Sequence, residues 1–258
     1  MKQLIRLSYQ VAIGCFLLVL TTGCNNIVKQ KNIICLIDFS ETPEYESRME
    51  HLRGVVNNSI ISKIGYNTKL TVLPIDKASV SSSKEILYGL TLDQFDYIPE
   101  MTAAADEEKI ATENLKKATD SLKTLFNQNF SDALKYRKEN KLDKGTDIIG
   151  ALEQTKRYLS NDGENLVIIL SDMMNWTDNL KMEQDNFSST SIETALKKSA
   201  SISLGNTKVF VYTGSTSYIS GEHYKTVQEF WTKYFNQNNV TLIDYSSGAV
   251  SKLEEQFK

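Results

Sequence analysis

The chain has 258 residues, of which 41% are hydrophobic and only three are proline, so it belongs with globular chains and not with disordered or fibrous ones. Its 29 basic and 32 acidic residues leave a formal charge of −3 with both signs interspersed, which excludes the basic footprint of a nucleic-acid-binding protein. There is no internal repeat and no low-complexity segment, and the Ser-rich stretch 79–83 reads as a loop.

The first residues read as an export signal. Lys2 and Arg6 give a basic start, Val11 to Leu20 is almost unbroken in its apolarity, and Thr21, Thr22 and Gly23 precede Cys24. A run of about ten apolar residues is too short to span a bilayer and fits the hydrophobic region of a secretory signal. Thr21-Thr22-Gly23-Cys24 resembles the lipobox of bacterial lipoproteins, with Leu20 one place further from the cysteine than is usual. The resemblance implies cleavage before Cys24 and a lipid on its thiol, hence a lipid-anchored place in the bacterial cell envelope, periplasmic or at the cell surface. The expected organisation is a signal peptide at 1–23, a short linker at 24–31 and one domain at 32–258, with an extended, partly helical segment at about 76–143. Loss of Lys2 and Arg6 takes the formal charge from −3 to −5. Cys15 leaves with the signal, and Cys35, inside the apolar run Ile33 to Ile37, is expected in the core as an unpaired thiol.

Asn32 to Ile37 is a continuous apolar run ending at Asp38, the mark of a strand buried on both faces. Thr42 and Pro43 suit the cap and first position of a helix whose apolar face is Met49, Leu52, Val56 and Ile60, ended by Gly65. Thr68 to Ile75 is a second strand, and the stretch Asp76 to Glu100 holds turn residues and one candidate edge strand near Ile86 to Leu92. From Ala104 the pattern is helical, with Ala111, Leu115, Ala118, Leu122 and Leu125 in register. Asn127 and Asn129 are expected to interrupt it before Phe130, Ala133 and Leu134. With only about two or three heptads, this stripe is expected to pack on the protein's own sheet and not on a coiled-coil partner.

A helix carrying Ile148, Leu152, Thr155 and Leu159 follows Gly145-Thr146-Asp147, and the strand Asn165 to Leu170 ends at Ser171-Asp172. The rest alternates: a helix near Ile192 to Ala200, a strand Lys208 to Thr213, a helix His223 to Phe235, a strand Val240 to Tyr245 and a short helix Ala249 to Phe257. Apolar strands alternating with helices predict an α/β fold: a doubly wound, mostly parallel central sheet flanked by helices, Rossmann-like and in a single domain.

In such a sheet, ligands bind beyond the carboxyl ends of the strands, where the strand order reverses. Three polar clusters fall near such ends: Asp38-Phe39-Ser40-Glu41-Thr42, Thr146, and Asp172. Carboxylates and hydroxyls without His or Cys are hard ligands that suit Mg²⁺ or Mn²⁺ and disfavour zinc. At these residues the sequence resembles the von Willebrand factor A (vWA) domain family, whose metal-ion-dependent adhesion site (MIDAS) joins a D-x-S-x-S loop, a distant threonine and a later aspartate. Asp38, Ser40 and Thr42 match the first loop, with Thr42 in place of the last serine. Thr146 matches the second and Asp172 the third, with Met173 following where many members have glycine.

The resemblance implies a metal site of Asp38, Ser40, Thr42, Thr146 and Asp172, and binding of a protein ligand whose acidic side chain completes the metal shell. Phe39, Tyr45 and Trp176 are candidate contacts around it. Replacement of Asp38 by alanine is expected to abolish such binding and leave the fold intact. His51 and His223 lack partners at zinc or triad spacing, and no phosphate-cradling glycine loop is present, so neither a nucleotide nor catalysis is expected. The alternatives are a structural lipoprotein of an envelope complex without metal-dependent binding, or a metal-dependent hydrolase, for which no general base is identifiable. About seven residues separate Cys24 from the first strand, a reach of at most roughly 25 Å, so the metal loops are expected to face away from the membrane.

Overall fold

The computed structural model describes residues 30–79, 86–92, 104–182, 187–247 and 250–257, so the expected signal peptide and Cys24 lie outside the described residues. Within them the apolar runs form the strands β1 (Lys31–Asp38), β2 (Thr68–Ile75), β4 (Glu164–Leu170), β5 (Thr207–Tyr212) and β6 (Thr241–Ser246), and the candidate edge strand forms β3 (Leu87–Leu92). The order across the sheet is β3-β2-β1-β4-β5-β6. All neighbours are parallel except β3, which closes one edge antiparallel to β2.

The central strands are apolar at every step over Ile33–Ile37 and Leu166–Leu170 because both faces are covered. Successive residues point to opposite faces, and the core divides accordingly. Ile34 and Leu36 pack with Leu73, Val167, Ile169, Val209 and Val211 on one face. Ile33, Cys35 and Ile37 pack with Leu70, Val72, Ile168, Leu170 and Phe210 on the other. The first face is covered by α3 (Ile148–Thr155), α4 (Ile192–Lys198) and α5 (Gly221–Gln237), through Leu152, Leu196, Phe230 and Trp231. The second is covered by α1 (Tyr45–Val55), α2 (Ala104–Glu139) and α6 (Val250–Glu254), through Leu52, Phe126, Phe130 and Leu253. The protein is therefore a doubly wound α/β domain, and Cys35 is the fully buried thiol expected of it.

Two local expectations are corrected. Residues Asn127 and Asn129 do not interrupt α2, which runs unbroken for 36 residues. Their amides are used across the fold: Asn57 donates to the Asn127 side chain at 2.8 Å, and Asn129 donates to the Ile86 carbonyl at 2.8 Å. The first helix starts at Tyr45, not Pro43, and no side-chain hydrogen bond caps it. The Thr42 carbonyl accepts the Tyr45 N–H at 3.1 Å, which makes residues 42–45 a turn and leaves the Thr42 hydroxyl out of capping. The helix then continues through a π-helical turn, Val56–Ile60, that keeps Val56 and Ile60 in the core. Among the described residues no helix is long and apolar enough to cross a membrane.

The chain passes from β1 to β2 on one side and places β4 on the other side of β1. The order therefore reverses between β1 and β4, and the crevice beyond their carboxyl ends is where this architecture binds ligands.

Candidate functional site

Asp38 and Asp172 flank that crevice. Ile37 pairs with Leu170, so Asp38 and Ser171 leave the ladder side by side. The Ser171 hydroxyl donates to Asp38 Oδ2 at 2.6 Å, and the Ser40 N–H donates to Asp38 Oδ1 at 2.9 Å. Asp172 accepts the Met174 N–H on Oδ1 at 2.9 Å and the Tyr218 hydroxyl on Oδ2 at 2.6 Å. Neither aspartate caps a helix. Both carboxylates are buried, Asp38 fully and Asp172 to 3% exposure. For Asp172, burial raises the carboxyl above its ordinary range, Arg48 opposes this, and the nearby Asp38 charge adds to it.

Thr146 reaches the same end of the sheet by a different route. Its N–H donates to the Trp176 carbonyl at 3.1 Å and its carbonyl accepts the Trp176 N–H at 2.8 Å, a two-residue bridge between loops. Gly145 permits that approach, because a Cβ there would lie 3.3 Å from the Trp176 carbonyl oxygen. Asp147, not Thr146, caps α3, accepting the Gly150 N–H at 2.8 Å. The Glu41 N–H donates to the Asp143 carbonyl at 2.8 Å and ties the first loop to the segment leading to Thr146. Asp38 and Ser40 are thus joined through a loop amide, and Asp38 is tied to the loop of Asp172 through the Ser171 hydroxyl. Thr42 and Thr146 are brought near by backbone bonds only, and among the described residues neither hydroxyl bonds to a carboxylate.

Two carboxylates and three hydroxyls without nitrogen or sulfur form a donor set that fits a hard divalent cation. The Thr42 hydroxyl oxygen is buried and has no hydrogen-bond partner among the described residues, a state that costs free energy unless a ligand or water meets it. On both counts the residues fit Mg²⁺ or Mn²⁺.

Sequence reasoning missed Arg48. Its guanidinium donates to Asp38 Oδ2 at 2.9 Å and to the Ser40 carbonyl at 3.2 Å, with side chains 8% and 0% exposed in the ion pair. Burial works against its charge, yet Asp38 and then Asp172 outweigh it and raise the group above its ordinary range. The available signal was positional. Arg48 precedes Leu52 by four residues and Val55 by seven, so a charge sits on the buried stripe of α1. Ser171 was legible only as the neighbour of Asp172, and Tyr218, in the loop after β5, gave no signal.

A second ion pair lies next to this one. Arg137 Nε donates to Asp76 Oδ2 at 3.0 Å, with side chains 2% and 0% exposed. Burial dominates both partners, lowering the arginine and raising the aspartate despite their mutual attraction. The Arg137 guanidinium stacks over Phe39, 4.9 Å from the ring centre, and Phe39 is fully buried against Phe130. Phe39 is thus core, not contact surface. Tyr45 is half-buried with its hydroxyl enclosed; burial and then Asp143 push that hydroxyl up to about 12. Of the three aromatic candidates, only Trp176 presents itself at the rim, 50% exposed.

Met173 stands at φ 66°, the left-handed conformation that glycine adopts freely. It is held there by the Ser171 hydroxyl, which accepts the Met173 N–H at 2.9 Å, and by Trp231, whose indole N–H donates to the Met173 carbonyl at 2.8 Å. Its side chain is fully buried. Both histidines are structural: His51 pairs with the Tyr212 hydroxyl at 2.9 Å, and buried His223 with the Met182 carbonyl at 2.9 Å.

No protein-family model matches the chain, and no curated protein matches it. Among solved structures, the pilus adhesin SpaC of Lactobacillus rhamnosus GG aligns over 89% of this chain and 30% of its own, at 12% identity and TM-score 0.45. A von Willebrand factor type A protein of Catenulispora acidiphila aligns over 89% of this chain and 41% of its own, at 12% identity and TM-score 0.44. Proximal thread matrix protein 1 of the mussel byssus aligns over 89% and 46%, at 11% identity and TM-score 0.39. The chain thus spans less than half the length of each of these three.

Proposed function

We propose that the chain is a vWA-type binding domain, anchored in the bacterial envelope through a lipid on Cys24, that captures a protein ligand through a divalent cation. Asp38, Ser40, Thr42, Thr146 and Asp172 would hold Mg²⁺ or Mn²⁺. The cation would supply an electrophilic position that an acidic side chain of the ligand completes. The protein's own residues prepare that position. Ser171 and Tyr218 fix one oxygen of each aspartate, the Thr146–Trp176 bridge holds the second loop against the third, and the indole of Trp176 offers an apolar rim contact. The reading assigns no catalytic residue and no nucleotide.

The observation that carries the proposal is the buried hydroxyl of Thr42, without a partner among the described residues, in the loop that follows the buried Asp38 at the reversal of the sheet. Thr42→Val keeps the side-chain shape and removes that oxygen. Wild type should melt at higher temperature in millimolar Mg²⁺ or Mn²⁺ than in EDTA. The variant should lose most of that gain and be no less stable in EDTA. Equal melting of the wild type in EDTA and in saturating Mn²⁺ defeats the proposal. A second reading, binding without metal, draws on the Arg48–Asp38 pair, which already neutralises one of the two carboxylates. Ligand captured from native membranes equally with and without chelator would favour it.

A further inference from the structure

Arg48 and a divalent cation would compete for one carboxylate. The guanidinium takes Asp38 Oδ2 and the Ser40 carbonyl, both in the loop that also supplies Ser40 and Thr42 as donors. Two like charges sharing a buried anion exclude each other, and the exclusion is strong where water is absent. Metal loading therefore requires somewhere for the guanidinium to go.

The structure provides that place. A cavity of about 110 Å³ opens beside Arg48, lined by Glu44, Ser47, His51, Thr213 and Tyr218 among others. Glu44, the residue that precedes α1, stands four residues before Arg48 and accepts its N–H on the backbone carbonyl at 2.9 Å, close to the spacing where a carboxylate and a guanidinium meet on a helix surface. Glu44 is exposed and accepts the Ser217 hydroxyl at 2.9 Å, so a charged partner waits at the cavity's outer side. Tyr218, which donates to Asp172, lines the same cavity and joins it to the site.

We propose that Arg48 is an internal competitor for the cation, and that loading the site moves its guanidinium from Asp38 into the cavity beside Glu44. Resting on the metal-binding reading above, this adds that the chain sets its own metal affinity by the equilibrium between the two seats of Arg48. With Arg48 on Asp38 in about nine-tenths or more of metal-free molecules, apparent metal affinity is lowered about tenfold or more, because only the remainder is open to the ion.

The test is Mn²⁺ binding by the purified full-length chain, followed by the paramagnetic resonance of the free ion, in wild type, Arg48→Gln and Glu44→Gln. Arg48→Gln should bind Mn²⁺ about tenfold or more tighter than wild type, and Glu44→Gln, which touches no candidate ligand, should bind more weakly. Since loss of Arg48 strips a buried carboxylate of its partner and could unfold the chain, the Arg48 side-chain N–H resonance of ¹⁵N-labelled wild type is read during a Mg²⁺ titration. It should shift in step with occupancy. Binding of Mn²⁺ with equal affinity by wild type and folded Arg48→Gln, or an Arg48 resonance unmoved while Mg²⁺ binds, overturns the exchange and leaves the metal site standing. Absence of Mn²⁺ binding in both wild type and Arg48→Gln overturns the metal site and the exchange together.

Discussion

Asp38 is both a candidate ligand and one half of a buried ion pair, and this changes what its removal does. Truncating one partner leaves the other charge buried and uncompensated, at a cost of about 3–5 kcal/mol. Asp38→Ala should therefore lower stability by that amount in urea unfolding, so the expectation that the variant keeps an intact fold gives way to a destabilised one. Asp38→Ala combined with Arg48→Leu should recover a large part of the loss, since no unpaired charge then remains. Ser40→Ala and Thr42→Val, which leave the pair in place, are the better probes of metal binding.

The pair Asp76–Arg137 makes a pH prediction. Burial raises the Asp76 carboxyl above 3.8, while the Ala78 N–H and Arg137 pull the other way without prevailing. A carboxyl raised in the folded state holds its proton more tightly there than in the unfolded chain. Its stabilising contribution is complete below the unfolded value and is lost as pH rises through the folded one. Wild type should therefore gain urea resistance as pH falls from neutral into that window, relative to Asp76→Asn, whose pH profile should be flatter. A steeper profile in the variant would contradict the assignment.

At the level of elements, α2 is the least conventional piece and the one whose packing is most exposed to test. It lays Leu122, Phe126 and Phe130, spaced four residues apart, onto the face of the sheet that carries Cys35 and Val72. Phe126 touches Phe130, with ring centres 5.4 Å apart, and Phe130 supports Phe39 beneath the candidate site. Phe126→Ala should cost about 3–5 kcal/mol by cavity formation, measured by urea unfolding. The sequence marked Leu122 and Phe130 of this stripe but placed Leu125 in register, which is 42% exposed, where the fully buried residue is Phe126. It misplaced the break at Asn127 and Asn129 because local propensity favours asparagine in turns, whereas here Asn57 and the Ile86 carbonyl meet those amides from distant parts of the chain.

At the scale of the molecule, β1 sets a direction. It begins at Lys31 and ends at Asp38, so its two termini lie at opposite ends of the sheet. A lipid at Cys24, as proposed, would hold the Lys31 end toward the bilayer and the candidate metal loops away from it. With the full-length lipidated chain in vesicles, a spin label at Lys31 should be broadened by a lipid-soluble relaxation agent more than one at Ser40. Equal broadening at both positions removes the proposed orientation. The reversal of strand order between β1 and β4 is what brings Asp38 and Asp172 to one crevice although 133 residues separate Asp38 from Ser171, its hydrogen-bond partner.

Apolar runs at 33–37 and 166–170, the β-former-rich stretch 68–75 and the helical segments alternating with them determined by themselves a parallel sheet covered on both faces, and so where the loops with Asp38, Thr146 and Asp172 would gather. That much is carried by periodicity and chain order, which are local properties. Only the tertiary structure decided which charges meet inside. Arg48 on Asp38, Arg137 on Asp76 and Tyr218 on Asp172 are pairings across 10, 61 and 46 residues, set by how α1, α2 and the loop after β5 fold onto the sheet. No pattern of spacing encodes them. They arise because a buried charge or hydroxyl must find whatever partner the packed elements place within reach.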